Sequence, residues 1–343
     1  MYNLSSILRT AAGIAVAALV TQPLAGCSGA SQALPGAGPS LAVPAAVNAQ
    51  GSAALPDKKK KKETLLFVSD NEHNKVLVFD ASTKQQNPSP LRTITSGVAL
   101  PNGIATDKSG NLYVANYYTN SITIYAPNSS TPKATLSSGL NGPWDVKVDG
   151  FGDVYVANVP LYGGTDYIVE YPAGSSSPSA SWNVPQQGMT LSGIAILNPN
   201  QQGYQSIYAL AYTLNSSDLA TGYALSCYPG NGTCASLGDT FGQTGGIEIA
   251  KSPGASQHFQ WIAVDQYVPG IDIFTQNQST KQFATGGTPE FVTLDATGTK
   301  LFVADRFYGQ VEEYSYPGLT KLNTFPSGGQ TYGVATSPTG TLH

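Results

Sequence analysis

The sequence predicts an all-β protein, and more specifically a six-bladed β-propeller, on three observations. With 37 Gly and 23 Pro among 343 residues, the chain favours short strands joined by turns over long helices. Segments rich in β-branched and aromatic residues recur every 40 to 54 residues, a period typical of propeller blades rather than of helical repeats. Two kinds of strand each occur six times, so the repeats can be arranged as six sheets around one axis.

The composition narrows the classes of partner. Only 11% of the residues are charged and the net charge is −4, whereas soluble domains usually contain about a quarter charged residues. The chain has no arginine-rich stripe, so we expect no nucleic-acid partner. The low charge indicates a neutral or polar ligand.

Residues 1–26 are predicted to be a signal peptide. Arg9 precedes the apolar run 11–20, which is too short for a permanent membrane span and suits the hydrophobic region of a signal peptide. Segment 24–27 (LAGC) resembles the bacterial lipobox, which implies cleavage before Cys27 and acyl chains on it. We therefore expect a lipid-anchored, extracytoplasmic protein of a bacterial cell envelope, held to the membrane by its N-terminal acyl chains, at the outer membrane if the bacterium is Gram-negative. The alternative is an ordinary signal peptide with a chance cysteine.

Residues 27–63 are predicted to be a flexible tether. They are mainly Ala, Gly, Ser and Pro without sustained periodicity, so they cannot bury enough apolar area to offset their chain entropy. Five lysines at 58–62 either interact with an anionic surface or form the solvated end of the linker. The propeller is therefore predicted to span residues 64–343.

The second strand of each blade has the clearest signature. Six segments alternate apolar residues, and five of them end in Asp or Asn: 66–70, 112–116, 154–158, 207–211, 261–265 and 301–305. A short polar side chain at a strand end can accept hydrogen bonds from nearby backbone amides. We therefore interpret these terminal residues as structural and not as a ring of metal ligands.

The other strands are placed relative to these segments. The innermost strands precede them, each with a glycine or an equivalent residue near its start: 102–107, 144–149, 192–195, 245–248, 290–295 and 332–335. Third strands follow, as at 121–125 and 310–314. Turns such as 171–174 and 316–318 then lead to short outer strands, because Pro and Gly supply the backbone angles that turns require.

These patterns resemble NHL-repeat propellers, whose repeat reads roughly Gly-Ile-Ala-Val-Asp, then Ile-Tyr-Val-Ala-Asp, then an alternating strand. The resemblance covers residues 64–343 and is strongest at 99–158 and 286–317, whereas Ala211 replaces the usual acid or amide. It implies a six-bladed propeller with the fold of the gluconolactonase superfamily. Because the chain starts with a second strand and ends with an innermost one, we expect the N-terminal strands to pair with the C-terminal strand and close the ring.

Cys227 and Cys234 are predicted to form a disulfide. They flank Tyr-Pro-Gly-Asn-Gly-Thr, a hairpin turn sequence that places them opposite each other on paired strands, and export permits their oxidation. Free thiols or a metal site are the alternatives, but a metal would need two further ligands and no histidine is nearby.

The predicted fold places a candidate ligand-binding face at one end of the channel. Alignment of the innermost strands puts six residues in equivalent positions around the axis: Asn102, Trp144, Ser192, Gly245, Glu290 and Tyr332. Further aromatic residues lie in loops at the same end: Tyr117, Tyr118, Tyr162, Tyr212, Tyr267, Phe307 and Tyr308. Tyrosine combines a flat apolar face with a polar tip, which suits an unidentified carbohydrate, peptide or protein ligand. The alternative is that these aromatic residues pack between blades.

An enzyme is the alternative function. Lactonases of the gluconolactonase type resemble this fold and bind a divalent cation at the channel mouth, and the resemblance places Glu290 and Asn102 in two of the ligand roles. Asp145 is one position out of register and should point to the opposite side. No Ser–His–Asp set or phosphate-binding loop is evident. We therefore expect a monomeric binding or scaffold protein with no catalytic residue, metal or cofactor, and a metal-dependent lactonase as the alternative.

Overall fold

The computed structural model describes residues 64–197, 206–217, 219–228, 230, 232–251, 259–266, 268–275 and 278–339. The predicted signal peptide, Cys27, the predicted tether and Tyr267 of the predicted aromatic face lie outside the described residues. Within these residues, no helix is long and apolar enough to cross a membrane. Their regular structure is entirely β, as the turn-rich sequence predicts.

The described strands follow one another along the chain as four per blade. They are β1 (Leu65–Asp70), β2 (Lys75–Asp80), β3 (Arg92–Ile94), β4 (Pro101–Thr106), β5 (Leu112–Asn116), β6 (Ser121–Tyr125), β7 (Pro132–Leu136), β8 (Pro143–Val148), β9 (Val154–Asn158), β10 (Tyr167–Tyr171), β11 (Ala180–Asn183), β12 (Thr190–Leu197), β13 (Ser206–Leu214), β14 (Ala220–Cys227), β15 (Ala235–Phe241), β16 (Thr244–Lys251), β17 (Phe259–Asp265), β18 (Gly270–Thr275), β19 (Gln278–Ala284), β20 (Pro289–Leu294), β21 (Lys300–Asp305), β22 (Gln310–Ser315), β23 (Lys321–Pro326) and β24 (Thr331–Ser337).

These strands form six antiparallel four-stranded sheets, the six blades that the sequence predicts. Blade 1 has the order β24-β1-β2-β3, and blades 2 to 6 are β4–β7, β8–β11, β12–β15, β16–β19 and β20–β23. The innermost strands β4, β8, β12, β16, β20 and β24 contact one another in that order, and β24 also contacts β4. The ring is therefore closed around a central channel.

The closure occurs within blade 1, where the N-terminal strand pairs with the C-terminal one. Strand β1 is antiparallel to β24, with Leu65 opposite Ser337 and Asp70 opposite Thr331. Ser69 ties this blade to blade 2, because its hydroxyl donates to the carbonyl of Asn102 at 2.8 Å. The predicted pairing of the two ends of the chain is thus confirmed, and it removes two sheet edges that would otherwise be open to other chains.

The core lies between neighbouring blades because successive side chains of a strand face opposite sides of the sheet. Between blades 1 and 6, the Phe325 ring packs 5.5 Å from that of Phe79 and 6.2 Å from that of Phe302, measured between ring centroids. All three rings are fully buried. Each blade therefore depends on its neighbours for a complete apolar core.

The acids and amides that end the second strands bond to the backbone, as predicted. The Asn116 side-chain oxygen accepts from the amide of Ala99 at 2.9 Å, and that of Asn158 accepts from the amide of Asn141 at 3.0 Å. Each interaction fixes the loop that leads into the innermost strand of its own blade. These hydrogen bonds support the interpretation that the strand-end side chains stabilise the repeat.

Cys227 and Cys234 form the predicted disulfide. The hairpin that they bridge also bonds to the outer strand of blade 3, where the Asn183 amide donates to Gly232 at 3.0 Å and the Cys234 amide donates to Asn183 at 2.9 Å. The disulfide therefore constrains a hairpin that joins blades 3 and 4.

Two ends of the propeller can be distinguished by the strand directions. At one end, the innermost strands begin and the second strands end, and we call this the mouth end. At the other, which we call the opposite end, Leu65 begins β1 beside Ser337. The described chain therefore enters the propeller at the opposite end.

Candidate functional site

Each innermost strand carries a β-bulge close to its first residue. In β4, Pro101 pairs with Asn116 and Ile104 pairs with Val114, so two residues of β4 oppose one residue of β5. Equivalent register shifts occur in the other innermost strands. The first bulge residues, here called the floor residues, are Asn102, Trp144, Ser192, Gly245, Glu290 and Tyr332. Their predicted equivalence is confirmed, and a bulge redirects such side chains away from the regular alternation of the sheet.

The second bulge residue of each strand faces the next blade. A Cβ added to Gly103 would lie 2.4 Å from the Asp145 carboxylate, and one added to Gly333 would lie 2.3 Å from the Asn102 carbonyl oxygen. The innermost strands approach too closely here for most side chains. Asp145, in the same position as Gly103, accepts from the Ile194 amide of blade 4 at 3.0 Å. It therefore points into the blade interface and not to the mouth, as its register predicts.

The polar floor residues are buried and contacted by neighbouring loops. The side-chain amide of Asn71 donates to the side-chain oxygen of Asn102 at 2.9 Å. The side-chain nitrogen of Asn102 is buried and has no hydrogen-bond partner within the described part of the chain. One Glu290 oxygen accepts from the side-chain amide of Gln266 at 2.7 Å, and the other lies 3.1 Å from Nε of Arg306. Burial raises the pKa of Glu290 to about 7, against the opposing effect of Arg306.

The aromatic floor residues form one cluster. The Trp144 ring packs edge to face with Tyr117 at 5.7 Å and with Tyr332 at 5.9 Å between centroids. The Arg306 guanidinium lies 5.6 Å from the Tyr332 ring centroid and donates to its hydroxyl at 3.3 Å. Burial, together with the charge of Asp166, raises the pKa of Tyr117 to about 12. The phenol groups are therefore neutral hydrogen-bonding groups at physiological pH.

A second ring of residues, here called the collar, covers the floor. Five collar residues directly follow a second strand: Asn71, Tyr117, Val159, Gln266 and Arg306. The sixth, Tyr212, has the equivalent position within the longer strand β13. Asn71 contacts Asn102, Tyr117 contacts Trp144, Gln266 contacts Glu290, and Arg306 contacts Tyr332. In these four cases, a collar residue reaches the floor residue of the next blade around the ring.

Large apolar side chains surround the collar at the mouth end. Among the described residues, five of the six blades expose such side chains between or beside their second and third strands, and these form what we call the rim: Tyr118, Leu161, Tyr162, Leu214, Leu219, Val268, Phe307 and Tyr308. The corresponding loop of blade 1, residues 71–74, is polar. The rim is therefore an apolar, nearly continuous border around the mouth.

The structure divides the predicted site residues into two groups. Asn102, Glu290, Trp144 and Tyr332 lie in the floor, and Tyr117 packs onto Trp144. The remaining three lie outside the floor on the exposed rim: Tyr118, Phe307 and Tyr308.

Sequence reasoning missed the collar residues Asn71, Gln266 and Arg306. Each comes immediately after the acid that ends a second strand, and this shared position is the signal that could have identified them. This signal can be interpreted only from the packing between blades, because each of these side chains contacts a floor residue of the next blade.

The floor does not fit the divalent cation of a gluconolactonase-type site. One Glu290 oxygen accepts from Gln266, and the other is ion-paired with Arg306 but has no hydrogen-bond partner among the described residues. The side-chain oxygen of Asn102 accepts from Asn71. A cation at Glu290 would be repelled by the guanidinium. Among the described residues, no three His, Cys, Asp or Glu are grouped so that they could hold a metal ion.

The channel below the floor contains a small polar cavity. Its lining includes Lys147, Glu248, Thr106 and Thr336, and it has room for about one water molecule. The Lys147 amine lies 3.4 Å from the Asp145 carboxylate. Burial raises the pKa of Glu248 to about 7, and the charge of Lys147 opposes this shift. The lumen is therefore narrow and charged.

The chain resembles solved propeller structures, although no family model and no curated protein match its sequence. A chain of the nidogen/laminin complex matches with a TM-score of 0.56 and 15% identity over 80% of this chain and 98% of that chain. A functionally unknown protein from Desulfotomaculum acetoxidans matches with a TM-score of 0.51 and 15% identity over 78% and 98%. A candidate 6-phosphogluconolactonase from Bacteroides fragilis matches with a TM-score of 0.54 and 12% identity over 81% and 99%. At these identities the likeness shows the fold alone, so the chain is a β-propeller protein.

Proposed function

We propose that this protein is a non-covalent binding or scaffold module whose ligand or partner contacts the mouth end. The observation that carries the proposal is the rim, because large apolar side chains exposed on five neighbouring blades do not stabilise the monomer. Tyr and Phe are enriched, and charged residues depleted, in the cores of binding interfaces. The rim therefore has the composition of a recognition surface.

We also propose that the propeller is related to NHL-repeat proteins and is lipid-anchored outside the cytoplasm of a bacterium. The lipobox-like segment before Cys27 supports the anchor, and the Cys227–Cys234 disulfide is typical of an oxidising compartment. The described chain enters the propeller at the opposite end. A tether joined there leaves the mouth accessible to a partner.

The lactonase alternative has weaker support. Its two candidate ligands, Glu290 and Asn102, already have protein partners for their oxygens. We propose a binding protein without enzymatic activity. Turnover of a lactone by the purified protein that Glu290→Gln abolishes would overturn this part of the proposal.

The binding proposal is tested by site-specific photo-crosslinking in cells. A photoreactive amino acid replaces Tyr118 on the rim or, as a matched control, Phe151 at the opposite end, because both side chains are 68% exposed. We expect one or more defined adducts from position 118 and none from position 151. Adducts from both positions, or from position 151 alone, would show that the rim is not the binding surface.

A further inference from the structure

We propose that the opposite end of the propeller docks on an anionic phospholipid bilayer through what we call the basic patch. The patch lies on blades 1 to 3 and consists of four cations and two apolar side chains: Lys84, Arg92, Lys108, Lys133, Leu91 and Phe151. The inference goes beyond the proposed function, because it assigns a second surface and does not depend on what the mouth binds.

The four cations of the basic patch have no carboxylate partner. Among the side chains that the structure describes, every other lysine or arginine lies within 4.0 Å of a carboxylate: Lys75, Lys147, Lys300, Arg306 and Lys321. The four cations without such a partner all lie in blades 1 and 2 at the opposite end. They can attract an anionic surface without the loss of an existing ion pair.

Hydrogen bonds hold three of these cations against neutral groups of neighbouring loops. Arg92 of blade 1 donates to the carbonyl of Ser129 in blade 2 at 3.4 Å. Lys133 donates to a side-chain oxygen in the loop between β4 and β5 at 2.8 Å. Lys108 donates to the carbonyl of Gly150 in blade 3. The positive charges are therefore positioned on one continuous surface but are not neutralised.

The carboxylates of blades 1 to 3 at this end are less exposed than the lysines. Asp107 and Asp149 are 8% and 1% exposed and accept from the amides of their own turns. Asp80, Asp153 and Glu170 are only partly exposed, and the first two accept from backbone amides at 2.8 and 2.7 Å. The fully exposed charged side chains on this part of the described surface are therefore all lysines.

The two apolar side chains of the patch lie beside its cations. Leu91, which is 55% exposed, directly precedes Arg92. Phe151, which is 68% exposed, directly follows Gly150, whose carbonyl accepts from Lys108. A bilayer can bury such side chains at the boundary between headgroups and acyl chains, whereas a soluble polyanion offers no apolar interior. The combination of cations and apolar side chains therefore favours a bilayer.

The chain enters the propeller beside the basic patch. The Ala81 amide donates to the Thr64 carbonyl at 2.8 Å, and Lys84 follows three residues after Ala81. The five lysines at 58–62 end two residues before Thr64, so they are joined to the same blade. Each cation close to an anionic bilayer strengthens binding by about fivefold, so the lysine run and the patch act on the same surface.

The charge distribution opposes docking by the mouth end. Residues 64–343 contain 19 Asp and Glu but 11 Lys and Arg, and the mouth-end cations Lys75 and Arg306 are paired with Asp70 and Glu290. Exposed charges more than about 8 Å apart are largely screened at physiological salt, so the surface in contact with the bilayer determines the attraction. Docking through the basic patch therefore directs the mouth away from the bilayer.

The experiment measures which end of the purified full chain contacts lipid. An aromatic photoreactive amino acid replaces Phe151 or, as a matched control, Tyr118 at the mouth, because both side chains are 68% exposed. The vesicles contain equal parts of phosphatidylglycerol and phosphatidylethanolamine, or phosphatidylcholine alone, and lipid adducts are identified by mass. We expect lipid adducts from position 151 on the anionic vesicles and a much lower yield in the other three combinations. No lipid adducts from position 151, equal yields from both positions, or equal yields on both kinds of vesicle would each overturn the inference.

A charge variant tests the role of the lysines. The combined change Lys84→Gln, Lys108→Gln and Lys133→Gln removes three exposed charges, so the affinity for anionic vesicles, measured as the lipid-adduct yield from position 151 against lipid concentration, should fall by about a hundredfold. The matched control places arginine at the same three positions and should bind like the parent chain. An unchanged affinity of the glutamine variant would overturn the inference.

Two further outcomes separate this inference from its competitors. If dextran sulfate binds through the three lysines while position 151 forms no lipid adducts, the patch binds a soluble polyanion and the inference fails. Lipid adducts are distinguished by mass from the protein adducts that test the proposed function. Lipid adducts from position 151 without protein adducts from position 118 would support the docking surface alone, and the reverse result would support the mouth alone.

Discussion

The two ends of this propeller are built from the same repeats but present different surfaces. At the opposite end, Asp107 and Asp149 follow innermost strands and accept hydrogen bonds from the backbone amides of their own turns. Lys84 and Lys108 are exposed there. At the mouth end, the loops between second and third strands expose the eight apolar side chains of the rim. Among the described residues, the opposite end exposes five large apolar side chains, one in each of five blades: Leu91, Phe151, Tyr228, Phe259 and Leu322.

This difference separates loops whose composition is explained by the stability of the fold from loops whose composition is not. The polar turns of the opposite end satisfy their own backbone groups and keep the surface solvated, so stability alone accounts for them. An exposed apolar rim contributes little to the stability of a monomer. The larger number of exposed apolar side chains at the mouth therefore supports the proposed function there, and four changes test it, in order of expected effect.

The largest effect should come from the floor, which belongs to the packed core. Tyr332 is 8% exposed and packs against Trp144, so Tyr332→Ala should lower the free energy of unfolding by about 3 to 5 kcal/mol through the cavity it leaves. Tyr332→Phe keeps the ring and should lower it by about 1 kcal/mol. Urea unfolding measures both values. Equal values for the two variants would show that the ring is not packed.

The next largest effect should be the change in the free energy of unfolding with pH. Burial raises the pKa of Glu290 in the floor and of Glu248 in the lumen from 4.5 to about 7. The folded chain therefore holds these protons more tightly than the unfolded chain. The contribution of these two groups to stability is greatest below pH 4.5 and is lost as the pH rises towards 7, by on the order of 3 kcal/mol for each group.

Glu290→Gln and Glu248→Gln should each make this fall less steep when unfolding is measured between pH 4.5 and 7. The Lys147→Met variant is the comparison for the lumen, because removing the amine should raise the pKa of Glu248 further and move the fall to higher pH. A pH profile that neither glutamine variant changes would mean that both carboxylates are ionised throughout this range.

A smaller effect should come from the turns at the opposite end. The Asp149 carboxylate accepts from the amides of Phe151, Gly152 and Asp153 at 2.8 to 2.9 Å. Asp149→Ala should therefore lower the free energy of unfolding by about 2 kcal/mol, whereas Asp149→Asn keeps an acceptor and should lower it less. Thermal unfolding of both variants, with no change in ligand binding, would support the structural interpretation. A loss of binding in Asp149→Ala would break the contrast between the ends.

The smallest effect on stability should come from the exposed aromatic residues. Tyr118→Ser and Phe151→Ser change side chains that are both 68% exposed, so each should alter the free energy of unfolding by less than about 0.5 kcal/mol. Only Tyr118→Ser should reduce binding, measured as the yield of adducts formed from position 307. An equal reduction by Phe151→Ser would show that the two surfaces are equivalent.

The sequence predicted most of the fold and part of the site. Strand alternation, the spacing of the repeats and the order of strand types near the two termini were sufficient to predict six blades and their closure. The same alignment predicted the floor, from Asn102 to Tyr332, because each bulge occurs at the same place in its repeat. It could not predict that Arg306 pairs with Glu290 or that Asn71 holds Asn102, because these contacts depend on side-chain conformation and on the rotation between blades.

By itself, the sequence determined the properties that repeat along the chain or act over a few residues: the strands, the turns, the number of blades, the six floor positions and the cysteine pair. Only the tertiary structure decided which of these residues have partners. In the folded chain, the Glu290 carboxylate contacts Arg306, and the side-chain nitrogen of Asn102 has no acceptor among the described residues. The rim is exposed, whereas the floor is buried except at Trp144. The physical reason is that hydrogen bonding and burial depend on distances between side chains of different blades, and these distances are set only when the ring closes.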